Sequence, residues 1–240
     1  MARILSLLFY DLKAIWKDLM TMISIFAPIL MALFFRFATP ILDEAFFKGT
    51  TFPPSDQNLV IGLLLLLTTP VMLGMMSGFI LLDEKDEGIA MSIAVTPFQL
   101  KGYLFYRLYL PMIISLLLAF PVLTIGGFTE IMTLRLLPFL LLIIVETPII
   151  ALLMASTAEN KVEGLAIAKV ISIILAIPIA IYFIDHPALM LAGILPPYWP
   201  IKGYLLTMNG WHLSGFLFLI IGILYHLLLF YYLMKRYERR

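Results

Sequence analysis

Apolar residues run through this chain in long uninterrupted stretches, and the polar residues gather between them. The clearest stretch, Asn58 to Leu82, carries no charge and runs straight into Asp83-Glu84-Lys85-Asp86-Glu87-Gly88. At ~1.5 Å of rise per residue, a helix of that length crosses the ~30 Å hydrocarbon core of a bilayer with some tilt, and the charges after it must lie in water. Five more stretches have the same character: Leu19 to Leu42, Leu108 to Phe128, Leu136 to Ala158, Gly164 to Ile184 and Leu213 to Met234. The pattern predicts an all-α integral membrane protein with six transmembrane helices, in one membrane domain over residues 1–240. Pro28, Pro70, Pro111, Pro121, Pro138, Pro148 and Pro178 fall inside the spans. Neighbouring helices satisfy the carbonyls that such prolines free, so kinks are expected and suit a protein that moves.

Two segments depart from the spanning pattern. In residues 1–18, Arg3, Ser6, Tyr10, Lys13 and Lys17 fall on one helical stripe, with Leu5, Leu8, Phe9, Leu12, Ile15 and Trp16 opposite. That is the pattern of an amphipathic helix lying in the membrane interface, and the alternative is an extension of the first span. Between Asp185 and His212 the chain is mostly apolar but interrupted by Pro196, Pro197 and Pro200, which predicts short helices dipping into the outer leaflet.

Composition and charge sharpen this picture. Hydrophobic residues make up 62% of the 240 and charged residues only 13%, well outside the usual range of soluble domains. The net charge of +1 matters less than where the basic residues fall. With both termini cytoplasmic, that side holds Arg3, Lys13, Lys17, Lys85, Lys101, Arg107, Lys161, Lys169, Lys235, Arg236, Arg239 and Arg240, against Arg36, Lys48, Arg135 and Lys202 outside. This bias orients a multi-pass protein of the plasma membrane. The start of the chain lacks the apolar core and cleavage site of a signal peptide and reads as mature protein. Cysteine is absent, which excludes disulfides and thiolate metal sites.

Candidate chemistry is sparse. His186, His212 and His226 have no carboxylate or second histidine at helical ligand spacing, so no metal site is expected. Gly62, Gly74 and Gly78 lie within a span rather than in a phosphate-binding loop, so the chain cannot hydrolyse ATP by itself, and no catalytic residue is assigned. The acidic run at Asp83 to Glu87 reads as a solvated face. After it, Thr96-Pro97 is a good helix start, with Thr96 as N-cap and Pro97 in the first turn, and predicts a short helix from Thr96 to Tyr103 across the ends of the second and third spans.

The charged Asp83 to Gly88 run, Val95-Thr96-Pro97 about seven residues later, a short helix entering the third span, and the polar turn Glu159-Asn160-Lys161-Val162-Glu163-Gly164 together resemble the permease subunits of type-2 ATP-binding-cassette exporters. The resemblance extends over the whole chain. It implies a coupling helix that docks on a separate nucleotide-binding subunit, which binds the ATP and Mg that this chain has no site for. Phe98 and Leu100 would be apolar anchors, with Lys101 and Tyr103 on the same helix and Glu87 and Gly88 positioning its start. The alternative for Phe98, Leu100 and Tyr103 is burial against the chain's own spans. Lys13 and Lys17 would brace the same ATPase. The resemblance also implies pairing with a second copy or a related permease, in contact with membrane lipids and not with nucleic acid.

Within the spans, Gly74-Met75-Met76-Ser77-Gly78 is a small-xxx-small pattern. With Met72 and Met75 beside it, it lines either a pathway or dimer interface, where soft methionine walls suit hydrophobic or amphiphilic substrates, or a contact within one subunit. Glu146 lies mid-span, where an ionised side chain costs at least ~2.5 kcal/mol, so it must be neutral, paired or facing water. It touches either substrate or a proton, or it holds helices together. Lys169 and Arg36 are close enough to span ends to snorkel. The expected function is outward movement of an amphiphile, driven by a separate ATPase. A proton-coupled secondary transporter using Glu146, or a non-transporting scaffold or immunity protein, are the alternatives.

Overall fold

The computed structural model describes residues 19–44, 53–88 and 99–239. Among these, all regular structure is helical and six helices are long and apolar enough to cross a membrane. Span 1 is Leu19–Leu42, span 2 Pro54–Asp86 and span 3 Gln99–Gly126. Span 4 is built from two helices, Leu137–Ile144 and Glu146–Thr157. Span 5 runs through Lys161–Ile171, a 3₁₀ stretch Ser172–Ala176 and Ile177–Phe183, and span 6 is His212–Glu238. Between spans 5 and 6 lie a 3₁₀ segment, Pro187–Ile194, and the helix Tyr198–Met208, the short helices expected from the proline spacing.

Prolines act unequally. Spans 1 to 3 carry Pro28, Pro40, Pro70, Pro111 and Pro121 without a break in the helix. Span 4 is interrupted at Val145, three residues before Pro148, whose missing N–H leaves the Ile144 carbonyl without its helical donor. In span 5 the tighter 3₁₀ turns immediately precede Pro178.

Spans 2 and 4 form the centre, with 72% of the residues in their most apolar stretch buried, against 11% and 22% in spans 1 and 6, which turn Phe34, Phe37, Leu224 and Leu228 outward. Small residues let the central pair approach closely. A side chain at Gly74 would meet the Thr147 carbonyl at 2.7 Å and Ile150 Cβ at 2.9 Å, and one at Gly78 would meet Met154 Cβ at 2.8 Å. Gly74 and Gly78 are therefore packed against span 4 of the same chain, the contact within one subunit that is one of the two readings of this pattern.

The helices also extend beyond the apolar runs. Span 2 stays helical to Asp86 and ends with Glu87 as C-cap and Gly88 in the left-handed conformation at φ 71°. From Gln99, where the described residues resume, the chain is already in span 3, so Gln99 to Tyr103 is continuous with the span and not a separate short helix. Nothing between Gln99 and Arg107 stops a helix, since Gly102 weakens one without ending it. Thr96, Pro97 and Phe98 lie outside the described residues, as does the N-terminal segment with Lys13 and Lys17.

Candidate functional site

Side chains that join one span to another concentrate in two places. The first is the end of the bundle that carries most of the basic residues. Glu84 sits on the inward face of span 2, three residues past the buried Leu81, and is itself 7% exposed. Its carboxylate accepts from the Tyr103 hydroxyl through Oε2 and from the Arg107 guanidinium through Oε1, both on span 3. Arg107 also lies 5.9 Å from the Tyr103 ring centre. Tyr103 is 4% exposed and packs with Leu104, Leu108, Leu152, Leu233 and Tyr237, a cluster that spans 2, 3, 4 and 6 build together. Tyr103 is thus a core residue of the chain's own bundle, the alternative to a place on the coupling surface, because its ring is enclosed and its hydroxyl engaged.

Further links close the same end. Lys161 Nζ reaches Asp83 Oδ2 at 2.7 Å, joining span 5 to span 2. Arg236 Nε donates to the Ser156 carbonyl at 3.1 Å, joining span 6 to span 4. Asn160 caps span 5 by accepting from the Val162 and Glu163 N–H groups, while Glu163 accepts from the N–H of Glu159. The polar turn seen in the sequence is therefore a helix cap, with Asn160 holding the first turn and Glu163 reaching back past it to Glu159. Glu87, by contrast, is exposed beside Gly88, at the exit toward residues 89–98. Leu100 and Lys101 lie within span 3, near Gln99.

The second place lies in mid-membrane. Glu146 is fully buried at the break in span 4, and its Oε1 is 2.8 Å from His226 Nε2 on span 6. His226, 1% exposed, places Nδ1 2.7 Å from the Gly222 carbonyl one turn earlier. Glu146 Oε2 and the neighbouring Thr147 hydroxyl are buried without a partner. Among the described residues no third histidine or acid joins the pair as a metal site would require. The histidine was missed by spacing along the chain because its carboxylate comes from another span, 80 residues away.

At the opposite end, Tyr182 donates to Asp56, Gln57 to Asp43 at 3.0 Å and Tyr204 to the Ile131 carbonyl at 2.9 Å. The helix Tyr198–Met208 is held against span 6 by Trp199, which packs over Gly222 and donates to the Gly193 carbonyl at 2.9 Å. Tyr198 is buried here, whereas Trp211 is exposed. Met72 and Met75 are half-buried and face a lateral cleft between spans 1, 2 and 5.

A family profile described as "Fluoroquinolones export permease protein Rv2686c-like" matches residues 11–234, which include every span. Two relatives, the fluoroquinolones export permease proteins MT2760 and Rv2686c of Mycobacterium tuberculosis strains CDC 1551/Oshkosh and H37Rv, are each 24% identical over 233 residues, covering 96% of this chain and 92% of theirs. No solved structure matches the chain.

Proposed function

This chain belongs to the Rv2686c-like fluoroquinolones export permease family, and from that premise we propose that it is the membrane half of an ATP-driven exporter whose ATPase is a separate polypeptide. The observation that carries the reading is the match across residues 11–234, which takes in all six spans and not a fragment of them. A multi-pass permease subunit needs a way to turn a push at one end into rearrangement of its spans. The Glu84, Tyr103 and Arg107 contact, backed by the apolar cluster of spans 2, 3, 4 and 6, supplies a stiff unit for that purpose. It joins the ends of spans 2 and 3, which the chain connects through residues 89–98, the stretch we assign to the ATPase contact through Thr96, Pro97 and Phe98, with Glu87, Gly88, Leu100 and Lys101 flanking it in sequence.

On this reading ATP and Mg are bound by the partner, the basic end and both termini face the cytoplasm, and two permease copies enclose the route. The cargo is an amphiphile with a planar aromatic body, in keeping with the relatives' names. Coexpression of the chain with candidate ATP-binding-cassette ATPases from the same genome provides the test. The expected result is a complex that survives purification, whose ATP hydrolysis rises with a fluoroquinolone, and which loses the ATPase when Phe98 and Leu100 are both changed to Asp. Failure of any ATPase to copurify, with drug export intact in vesicles lacking ATP, would overturn the reading.

One observation favours a second reading. The buried Glu146 and His226 pair is a proton-holding unit of the kind proton-coupled carriers use. Uptake driven by a pH gradient alone, abolished by Glu146→Gln, would support that alternative.

A further inference from the structure

The cleft between spans 1, 2 and 5 has a volume of about 340 Å³, within the range of small-molecule sites, and opens sideways into the membrane. Its wall combines Met72, Met75, Met76 and Phe79 of span 2 with Ser24 of span 1 and Lys169 of span 5. Lys169 is the single charged side chain on that wall. Among the described residues no carboxylate pairs with it, although every other basic side chain that lies between spans at this end, Arg107, Lys161 and Arg236, is engaged.

Depth makes the lysine unusual. Span 5 starts at Lys161, so Lys169 lies about 12 Å along the helix at ~1.5 Å per residue, two turns inside the span on its exposed side. A cation at that depth either snorkels to the interface or is met by an anion, and among the described residues no carboxylate meets it. The apolar part of the wall is equally particular. Methionines are polarizable and conform to flat ring systems, and sulfur beside an aromatic ring is a favourable contact. One molecule satisfies both halves: a planar aromatic body against the methionines and Phe79, with a carboxylate on Lys169.

We propose that this cleft is the membrane-side binding site for a carboxylate-bearing aromatic amphiphile, held by an ion pair between its carboxylate and Lys169. The inference rests on the export reading and adds the site and the group recognised. A neutral or purely cationic aromatic gains nothing from Lys169, so the carboxylate is the feature the site selects.

The test uses the full-length chain in nanodiscs of phosphatidylcholine, with a fluoroquinolone acid and its methyl ester as probes followed by their own fluorescence. For the acid, Lys169→Gln is expected to weaken binding about tenfold or more, because a pair in a low-dielectric site is poorly screened, while Lys169→Arg stays close to wild type. The ester binds wild type and Lys169→Gln alike. Met75→Trp, which fills the cleft, weakens both probes. Equal affinity of wild type and Lys169→Gln for the acid overturns the proposal, as does failure of the acid to bind the wild-type chain. If phosphatidylglycerol instead shows the Lys169 dependence while acid and ester bind alike, the lysine is a lipid anchor and the proposal also falls. Binding is read without the ATPase, so loss of ATP-driven export with an intact Lys169 dependence rejects only the export reading.

Discussion

Glu146 Oε1 and His226 Nε2 lie 2.8 Å apart in mid-membrane, and the other ring nitrogen of His226 faces the Gly222 carbonyl at 2.7 Å. A carbonyl only accepts, so Nδ1 carries a proton. Nε2 then either receives a hydrogen bond from a protonated Glu146 or donates one to its carboxylate. In both arrangements one proton lies between the two groups and the pair is neutral, which is what a site sealed from water requires. Gln in place of Glu146 reproduces the protonated form, with its amide donating to Nε2. Glu146→Gln is therefore expected to keep wild-type stability and ATP-driven export, whereas Glu146→Ala strands the imidazole and costs about 1–2 kcal/mol. Thermal unfolding in detergent of both single variants, His226→Ala and the double variant checks this. A double-mutant cycle with no coupling would show that the contact is not made.

At the basic end the carboxylate of Glu84 accepts from two donors at once, Tyr103 and Arg107. An amide accepts through only one of its two heavy atoms, so Glu84→Gln opens one side of this clasp without removing volume. We expect the variant to retain the ATPase on copurification but to export about tenfold more slowly, since bonds to a charged acceptor are roughly twice as strong as neutral ones. Glu84→Ala should in addition lower stability by about 1.5–3 kcal/mol. Full transport by both variants would remove the clasp from the coupling route.

Much of this was legible in the sequence, and the limits have physical causes. Six spans, broken outer helices and the Asn160 turn follow from local patterns of apolar runs, prolines and caps. Glu84 was hidden because it belongs to a charge run whose neighbours Asp86 and Glu87 are indeed exposed. Its helical phase was the available signal, seven residues after the buried Ser77 and three after Leu81. The partner of Glu146 was hidden for a different reason: tertiary pairs have no spacing rule. Depth gives a clue, however. Spans 4 and 6 run in the same direction, and at ~1.5 Å per residue Glu146 lies about 18 Å from Leu134 and His226 about 21 Å from His212. Two ionisable groups at nearly equal depth in separate spans are candidates for each other.

The close approach of spans 2 and 4 makes a stability prediction. Gly78→Leu would drive a side chain into Met154, whose Cβ is 2.8 Å from the first added atom, and Gly74→Val would meet the Thr147 backbone. Backbone cannot rotate away as a side-chain tip can. Each substitution is expected to cost about 1–3 kcal/mol or prevent folding, while Met72→Leu on the cleft side stays under about 1.5 kcal/mol. Thermal unfolding reads the difference. Cross-linking between copies should be unchanged in any folded glycine variant, because the contact is internal to one chain. Loss of cross-linking with unaltered stability would place these glycines at an interface after all.

Orientation can be tested directly, because the chain has no native cysteine to mask a label. Glu130 and Asn209 are exposed at one end of the bundle, Glu87 and Glu159 at the other. The positive-inside rule puts the second end in the cytoplasm, where Lys85, Arg107, Lys161, Lys235 and Arg236 gather. Single cysteines at Glu130 and Asn209 should therefore react with a membrane-impermeant maleimide on intact cells, and those at Glu87 and Glu159 only after permeabilisation. All four side chains lie outside the two inter-span networks, so each variant should fold. The reverse labelling pattern would turn the protein over in the membrane, place residues 89–98 out of reach of any ATP-binding partner, and leave the Glu146 and His226 pair as the one remaining candidate for energy coupling.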